Sequence, residues 1–407
     1  MRNLPTLGLA LLVSLTACKK KEGGETPPPP PAGSGSAPAA GSGSAAMATG
    51  SGSAAAPAAK PLTPEEQGKR YVECWGFFSS KKWDDFKSCY TKDAASVHVD
   101  SGIPDATGPD QILATHAKPL TDAFPDIKGD VELVLISGKN AATFALLTGT
   151  NSGTMKSPAG DMPPTNKKIG MQVAHAVHFG DDGKGVDKEW FFADMGEMMG
   201  QLGVSKNPVR PASDKPWGPT ETVIAKDDAN EKRNLDIIAK GTEAFNKHDM
   251  KAMDAALSDK LVWSEIGVPK DWDKKEAIKM HEELFKGFSN LKITPTASYA
   301  AGDYVWVTGT FAGKNDGAVA SMGIKKATGK DMSLTFLQLW KLDKDGKITN
   351  SWGYWNSMKF AMDLGMVPPP TAAKPGDKPD DKKGSGDAKK PDDKKPADKK
   401  PADKPKK

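Results

Sequence analysis

Residues 171–204, MQVAHAVHFGDDGKGVDKEWFFADMGEMMGQLGV, and residues 334–366, LTFLQLWKLDKDGKITNSWGYWNSMKFAMDLGM, spell one pattern twice. Phe179-Gly180-Asp181-Asp182-Gly183-Lys184 falls over Leu342-Asp343-Lys344-Asp345-Gly346-Lys347. Trp190 then falls over Trp352, and Gln201-Leu202-Gly203-Val204 over Asp363-Leu364-Gly365-Met366. Each copy reads as a strand, an Asp-Gly turn, a second strand and a short amphipathic closing helix at 195–202 or 357–364. Upstream, Leu147-Thr148-Gly149-Thr150 matches Val307-Thr308-Gly309-Thr310, and Phe124-Pro125-Asp126-Ile127 matches Phe288-Ser289-Asn290-Leu291. Such self-similarity marks a duplicated domain of about 140 residues.

Working outward, each copy opens with helices. Thr63-Pro64-Glu65-Glu66 supplies an N-cap, a proline at the first helical position and acids in the first turn. Ile237, Ile238, Gly241, Thr242 and Phe245 fall at helical spacing in the second copy. A short helix, a short strand (96–100 or 261–266) and a third helix (109–123 or 273–287) follow, then long strands rich in Val, Thr, Phe, Tyr and Trp. Helices first and antiparallel strands afterwards predict an α+β fold, with helices on one face of a curved sheet. The domains read as 61–205 and 227–367. Residues 206–226, with Pro208, Pro211, Pro216 and Pro219, read as the linker between them. Both sheet faces carry apolar residues, so the two domains are expected to pack sheet to sheet as an internal pair.

The ends are of another kind. Residues 1–17 read as a signal peptide: Arg2 precedes the apolar run LGLALLVSL at 7–15, and Leu15-Thr16-Ala17-Cys18 follows. That ending resembles the bacterial lipobox. The resemblance implies lipidation at Cys18 and a lipid-anchored place in the cell envelope, at the bacterial outer membrane. Residues 18–60 read as a disordered leash in which GSGSA begins at Gly33, Gly41 and Gly50. Residues 368–407 read as a disordered Lys/Asp/Pro tail, with a period of five from Lys389 onward. The tail is a soluble spacer, or it draws anionic envelope polymers or lipid head groups. Net charge over the whole chain is +4. The tail from residue 371 contributes +5 and residues 1–60 contribute +3, leaving −4 for the middle. The basic footprint of a nucleic-acid binder is thus absent from the folded part.

In each copy the order of elements resembles the nuclear transport factor 2-like superfamily, an α+β cone. Copy one is similar to its SnoaL-like polyketide cyclase branch. Gly108, Ala123-Phe124-Pro125-Asp126-Ile127, Leu147-Thr148-Gly149-Thr150, Asp182-Gly183-Lys184 and Glu189-Trp190-Phe191-Phe192-Ala193-Asp194 carry the likeness. It implies two tandem cone-shaped α+β-barrel domains with a deep apolar pocket. It further implies a carboxylate acid/base near the pocket, without metal or cofactor. Asp194 stands where that family keeps its Trp-x-x-x-Asp acid, and copy two has Asn356 there. Where the family tends to place His before the Trp, this chain has Glu189 and Ser351.

Asp194 admits two readings: a general acid/base raised in pKa by desolvation, or an N-cap for the helix starting at Met195. Asn356 fits the cap as well. His175 lies on one strand face with Met171, Val173, Val177 and Phe179. It is a satisfied core histidine, or it orients a ligand carbonyl or partners Asp194. Gln338 takes its place in copy two, beside Trp340. His98 and Asp100 are candidates to line the cone, with Trp190, Trp340, Trp352, Gln338 and Asn356 as further ligand contacts. His178 is expected on the exposed face, and His116 and His281 in structural or surface positions. Cys74 and Cys89 are a disulfide between two helices, or two buried thiols. No His or Cys spacing of a metal site and no cofactor motif is present in the sequence. Three functions compete: binding of a small, mostly apolar molecule; cofactor-independent acid/base catalysis in domain 1; and an interaction scaffold of the envelope.

Overall fold

The computed structural model describes residues 60–156 and 160–367. The signal peptide, lipidation at Cys18, nearly all of the leash and the tail lie outside them.

Domain 1 runs α1 (Pro64–Ser79), α2 (Trp83–Lys87), β1 (Tyr90–His98), β2 (Ala106–Thr107), α3 (Pro109–Ile112), a π turn (Leu113–Ala117), α4 (Lys118–Ala123), β3 (Lys128–Ser137), β4 (Asn140–Thr150), β5 (Lys168–Phe179), β6 (Val186–Phe192) and α5 (Met195–Gln201). β7 (Glu221–Ile224) follows. Domain 2 runs α6 (Ala229–Asn246), α7 (Met250–Ala256), β8 (Leu257–Glu265), α8 (Lys274–Gly287), β9 (Lys292–Ala301), β10 (Tyr304–Lys314), a 3₁₀ turn (Ala320–Met322), β11 (Asp331–Leu342), β12 (Ile348–Tyr354) and α9 (Ser357–Asp363). This is α+β, two cones in tandem. The sheets are ordered β2-β1-β6-β5-β4-β3-β7 and β8-β12-β11-β10-β9. All neighbours are antiparallel except β1/β6, β3/β7 and β8/β12.

Local chemistry sets the boundaries. Thr63 and Glu66 form a capping box on α1, and Asp273 and Glu276 repeat it on α8. Pro119 lacks an N–H to continue the ladder. The π turn just before it takes up the mismatch, as such bulges do, and turns His116 inward, where it is buried. In both copies a buried Asn fastens the end of the third helix to the sheet. Asn151 Nδ2 donates to Ala123 O and Gly153 O, and Asn315 Nδ2 donates to Gly287 O and Gly317 O.

One stretch differs from its sequence reading. Residues 221–224, read as linker, pair in parallel with 133–136 and add a seventh strand to sheet 1. Across the sheets, Leu133, Phe144, Ala174 and Phe192 of domain 1 share one apolar core with Trp306 and Tyr354 of domain 2. The Phe144 and Tyr354 rings lie 5.4 Å apart. Leu133, Phe144 and Phe192, fully buried, each contribute about 1.5–3 kcal/mol relative to exposure.

Candidate functional site

The cone of domain 1 is assembled from helices and strands far apart in the chain. On α1, Tyr71, Trp75 and Phe78 fall four and three residues apart and face the sheet together. A Cβ at Gly129 would lie 2.2 Å from the Trp75 ring, so the glycine is what lets the indole seat against β3. Cys74 is bonded to Cys89, just before β1. Across the parallel β1/β6 pair, Ser96 sits opposite Glu189 and His98 opposite Phe191, while β5 sets His175 beside Phe191. The π turn adds His116.

At the centre is a buried carboxylate. Glu189 Oε1 lies 2.6 Å from His175 Nδ1 and accepts from Tyr71 Oη at 3.3 Å. Glu189 Oε2 accepts from Tyr90 Oη at 3.1 Å and Ser96 Oγ at 3.0 Å. Ser96 Oγ also meets His116 Nδ1 at 3.1 Å. Burial alone would push the Glu189 carboxyl up. The His175 charge and hydrogen bond, with the Ser96 bond, outweigh it and hold the group down at about 2. At neutral pH Glu189 is therefore an anion, an acceptor only, so the proton on the His175–Glu189 bond belongs to Nδ1. His175 Nε2 is buried with no hydrogen-bond partner. The His98 ring stacks on His116 with centroids 4.0 Å apart. Burial, then the nearby His116, push His98 well below its ordinary value, which leaves it neutral.

All of these side chains except Ser96 line a cavity of about 80 Å³, walled otherwise by residues that include Trp75, Phe78, Phe86, Ile112 and Phe191. At about 30 Å³ of liquid volume per water, the space is that of two or three waters. A largely aromatic chamber with His175 Nε2 buried and unpaired can hold and orient a small polar-tipped apolar group. An imidazole fixed at Nδ1 by a carboxylate can also move a proton at Nε2.

Several residues read from the sequence as site residues lie elsewhere. Asp194 is fully buried but outside the cavity: Oδ1 accepts from Gly196 N and from Ser357 N, both at 2.9 Å, and Ser357 Oγ bonds both oxygens. It caps α5 and, through the first residue of α9, joins the two domains. Burial raises its pKa, and the Ser357 and Gly196 donors oppose the rise. His175 thus takes Glu189 as partner instead of Asp194. Asp100 turns away at φ +52° and accepts from Thr335 N of domain 2 at 2.7 Å. Asn356 caps α9 and donates to Asp100 O at 3.1 Å. Alternation along β6 sends Glu189 and Phe191 inward and Trp190 to the opposite face, where it is 38% exposed. Trp352 likewise lies on the outer face of its sheet, its ring 5.4 Å from Trp217. His116, read as structural or surface, belongs to the cavity wall, as does His98. His178 lies on the other face of β5, bonded to Asp187 at 2.7 Å.

Glu189, Tyr71, Tyr90 and Ser96 were not read as site residues. The signal for Glu189 was available: a charge sharing the period-two face of Phe191. For the others no signal existed, because they reach Glu189 across 93 to 118 residues of chain.

The cone of domain 2 keeps the positions and changes the groups. Gln338 Nε2 donates to Ser351 Oγ at 2.8 Å, where domain 1 has His175 and Glu189. A carboxylate, Glu265, enters from β8 instead, in the room left by Gly353 opposite it. It accepts from the indoles of Trp263 and Trp355 at 2.6 and 2.9 Å. Burial raises its pKa against these donors. His281 is pressed down to about 4 by burial, despite its bond to Ala277 O. Trp340 is half-buried in the cone's apolar wall. No group of three or more His, Cys, Asp or Glu placed to hold a metal ion exists among the described residues.

Residues 67–202 match the family described as SnoaL-like polyketide cyclase, and residues 238–351 match the one described as SnoaL-like domain. No curated protein matches the chain. Similar solved structures include a candidate hydroxylase from Streptomyces galilaeus, 19% identical over 34% of this chain and 85% of that one, with a TM-score of 0.31. A candidate SnoaL-like polyketide cyclase from Jannaschia sp. CCS1 is 15% identical over 35% and 97%, with a TM-score of 0.31. An NTF2-like protein from Burkholderia thailandensis E264 is 21% identical over 33% and 98%, with a TM-score of 0.28. With both halves matched and both cones built to one plan, the chain carries two SnoaL-like domains in tandem.

Proposed function

We propose that this is a lipid-anchored envelope protein that binds a small, mostly apolar molecule in the cone of domain 1. The observation that carries the reading is His175 Nε2, buried without a partner at an otherwise aromatic cavity. A buried polar atom left unpaired costs about 1–3 kcal/mol, and a ligand's polar tip would recover it. The cavity is smaller than the roughly 150 Å³ that accommodates benzene, so the group it takes is smaller than a benzene ring. Native mass spectrometry of protein recovered from its own host tests this. The expected result is a copurified small molecule that His175→Leu releases and Gln338→Leu does not. Clean apoprotein from the native host sinks the reading. The anchor rests on residues 7–18. Cys18→Ala is expected to move the protein from the membrane to the soluble fraction, and retention would refute the anchor.

The 2.6 Å His175–Glu189 pair favours a second reading, acid/base chemistry at His175 Nε2 on a carbonyl compound. Removal of the orienting carboxylate, as in Glu189→Gln, would then abolish turnover of a copurified compound while leaving its binding in place. Unchanged turnover in that variant would refute it.

A further inference from the structure

A larger space lies between the two domains. It has a volume of about 1040 Å³ and is walled by both sheets and by the stretch 210–221. Cavities of about 300–1,000 Å³ at domain boundaries are the size that small ligands occupy. Four side-chain atoms on its wall are buried without a hydrogen-bond partner: Glu132 Oε2, Gln172 Oε1, Tyr354 Oη and Arg210 Nη2, the last of them ion-paired with Asp271. Burial pushes the Glu132 carboxyl up to about 7, so a cation that keeps it ionised meets two bare acceptors, Glu132 Oε2 and Gln172 Oε1.

The surroundings select the kind of donor. Glu132, Glu197, Glu221, Glu265 and Asp271 line the space against three bases, Arg210, Lys215 and Lys341. Arg210 is held by Asp271 at 2.8 Å, and Lys341 donates to Tyr304 Oη at 3.1 Å. Arg210 and Lys341 are thus occupied, Lys215 is exposed, and carboxyl groups outnumber bases on the wall. Trp217 and Trp352 stand at the same wall with ring centroids 5.4 Å apart. Trp217 N donates to Glu132 Oε1 at 2.6 Å, which sets the aromatic pair beside the bare carboxylate oxygen. Trp217 is nonetheless 46% exposed, an apolar ring left open at the rim. An ammonium offers only donors, and an indole face attracts cations.

We propose that the interdomain cavity is a ligand site separate from the cone, for an organic cation: a protonated amine on a short apolar body. Its N–H groups meet Glu132 Oε2 and Gln172 Oε1, and its body lies on Trp217 and Trp352. An inorganic cation would leave the indoles bare, and an acid would face the carboxylates.

The probe is 2-phenylethylammonium, titrated into the whole protein by calorimetry and tryptophan fluorescence, with phenylacetate and 2-phenylethanol as shape-matched controls. Saturable binding of the amine is expected, with phenylacetate at least about tenfold weaker, or about 1.4 kcal/mol. Glu132→Gln and Trp217→Ala are each expected to weaken amine binding by about tenfold or more, with far-UV circular dichroism unchanged. If Glu132→Gln fails to fold, Trp217→Ala decides alone, because its backbone N–H still reaches Glu132. The proposal is overturned by absence of saturable amine binding, by equal binding of phenylacetate or the alcohol, or by full binding in folded Trp217→Ala.

Discussion

At the strand positions where domain 1 carries His175 and Glu189, domain 2 carries Gln338 and Ser351, on strands of 12 and 7 residues in both copies. Ile238 stands where Tyr71 does, and Gly241 and Ala256 stand where Cys74 and Cys89 do. The backbone plan tolerated all of these exchanges. What changed is the character of the buried polar centre: a carboxylate bonded to an imidazole and ringed by hydroxyls in one cone, an amide–hydroxyl contact and an indole-bound carboxyl in the other. The scaffold therefore does not dictate the chemistry inside it.

The largest effect expected from testing that contrast is at Glu189. Glu189→Ala removes the buried acceptor that His175 and three hydroxyls share, leaving Tyr71 Oη only His175 Nδ1 and Ser96 Oγ only His116 Nδ1, and should cost about 3–5 kcal/mol by urea unfolding. The double variant His175→Gln with Glu189→Gln, which imports the neutral character of domain 2, should recover much of that loss. A loss no smaller in the double variant would break the comparison.

Acid should then act oppositely on the two cones. Glu189 has a folded pKa of about 2 against an ordinary 4.5, so its contribution is full above pH 4.5 and is lost as pH falls toward 2. Glu265 is shifted upward by burial, so its folded state holds a proton more tightly than the unfolded chain. Its effect is to lower stability as pH rises above its unfolded pKa. Urea midpoints across pH should show Glu189→Gln flattening the acid limb and Glu265→Gln flattening the neutral limb. The reverse assignment would refute the account.

Loss of the Cys74–Cys89 bond, which spans 15 residues, should cost about 3 kcal/mol through the unfolded chain's freedom. Reduction with a thiol should show the same loss in wild type and none in the Cys74→Ala, Cys89→Ala double variant. Equal stability of oxidised and reduced wild type would contradict it.

Asn151→Ala and Asn315→Ala probe what the copies share. Each leaves two backbone carbonyls without their donor and should cost about 1–3 kcal/mol. The two losses should agree closely, since the backbone contacts are matched and only the Thr165 hydroxyl bond to Asn151 is extra. A twofold disparity would show that the copies no longer use the scaffold alike.

The smallest effect is expected at Asp194. Asn caps as well as Asp, and Asn356 already serves at the matched place in domain 2. Asp194→Asn should change the unfolding free energy measured in urea by less than about 0.5 kcal/mol, a change in the ordinary range for a substitution that breaks no feature of the fold. A large loss would mean that the second oxygen, bonded by Ser357 Oγ, carries more of the interdomain seam than its geometry suggests.

Much of this was present in the order of residues. The duplication, the element order, the strand faces of 171–179 and 334–342, and the capping capacity of Asp194 and Asn356 are local. They follow from backbone periods of 2 and 3.6 and from which side chains satisfy a helix's first N–H groups. The strand at 221–224 was hidden, because four residues beside prolines carry too little pattern to outweigh a linker's composition. Which carboxylate faces the cone was within reach of alternation. What it touches was not: Tyr71, Tyr90, Ser96 and His175 arrive on three further elements. Asp194 finds Ser357 across 163 residues, and Asp100 finds Thr335 across 235. A buried charge is stable only where donors converge on it, and convergence belongs to the packing of elements against one another, for which the period of any one element carries no information.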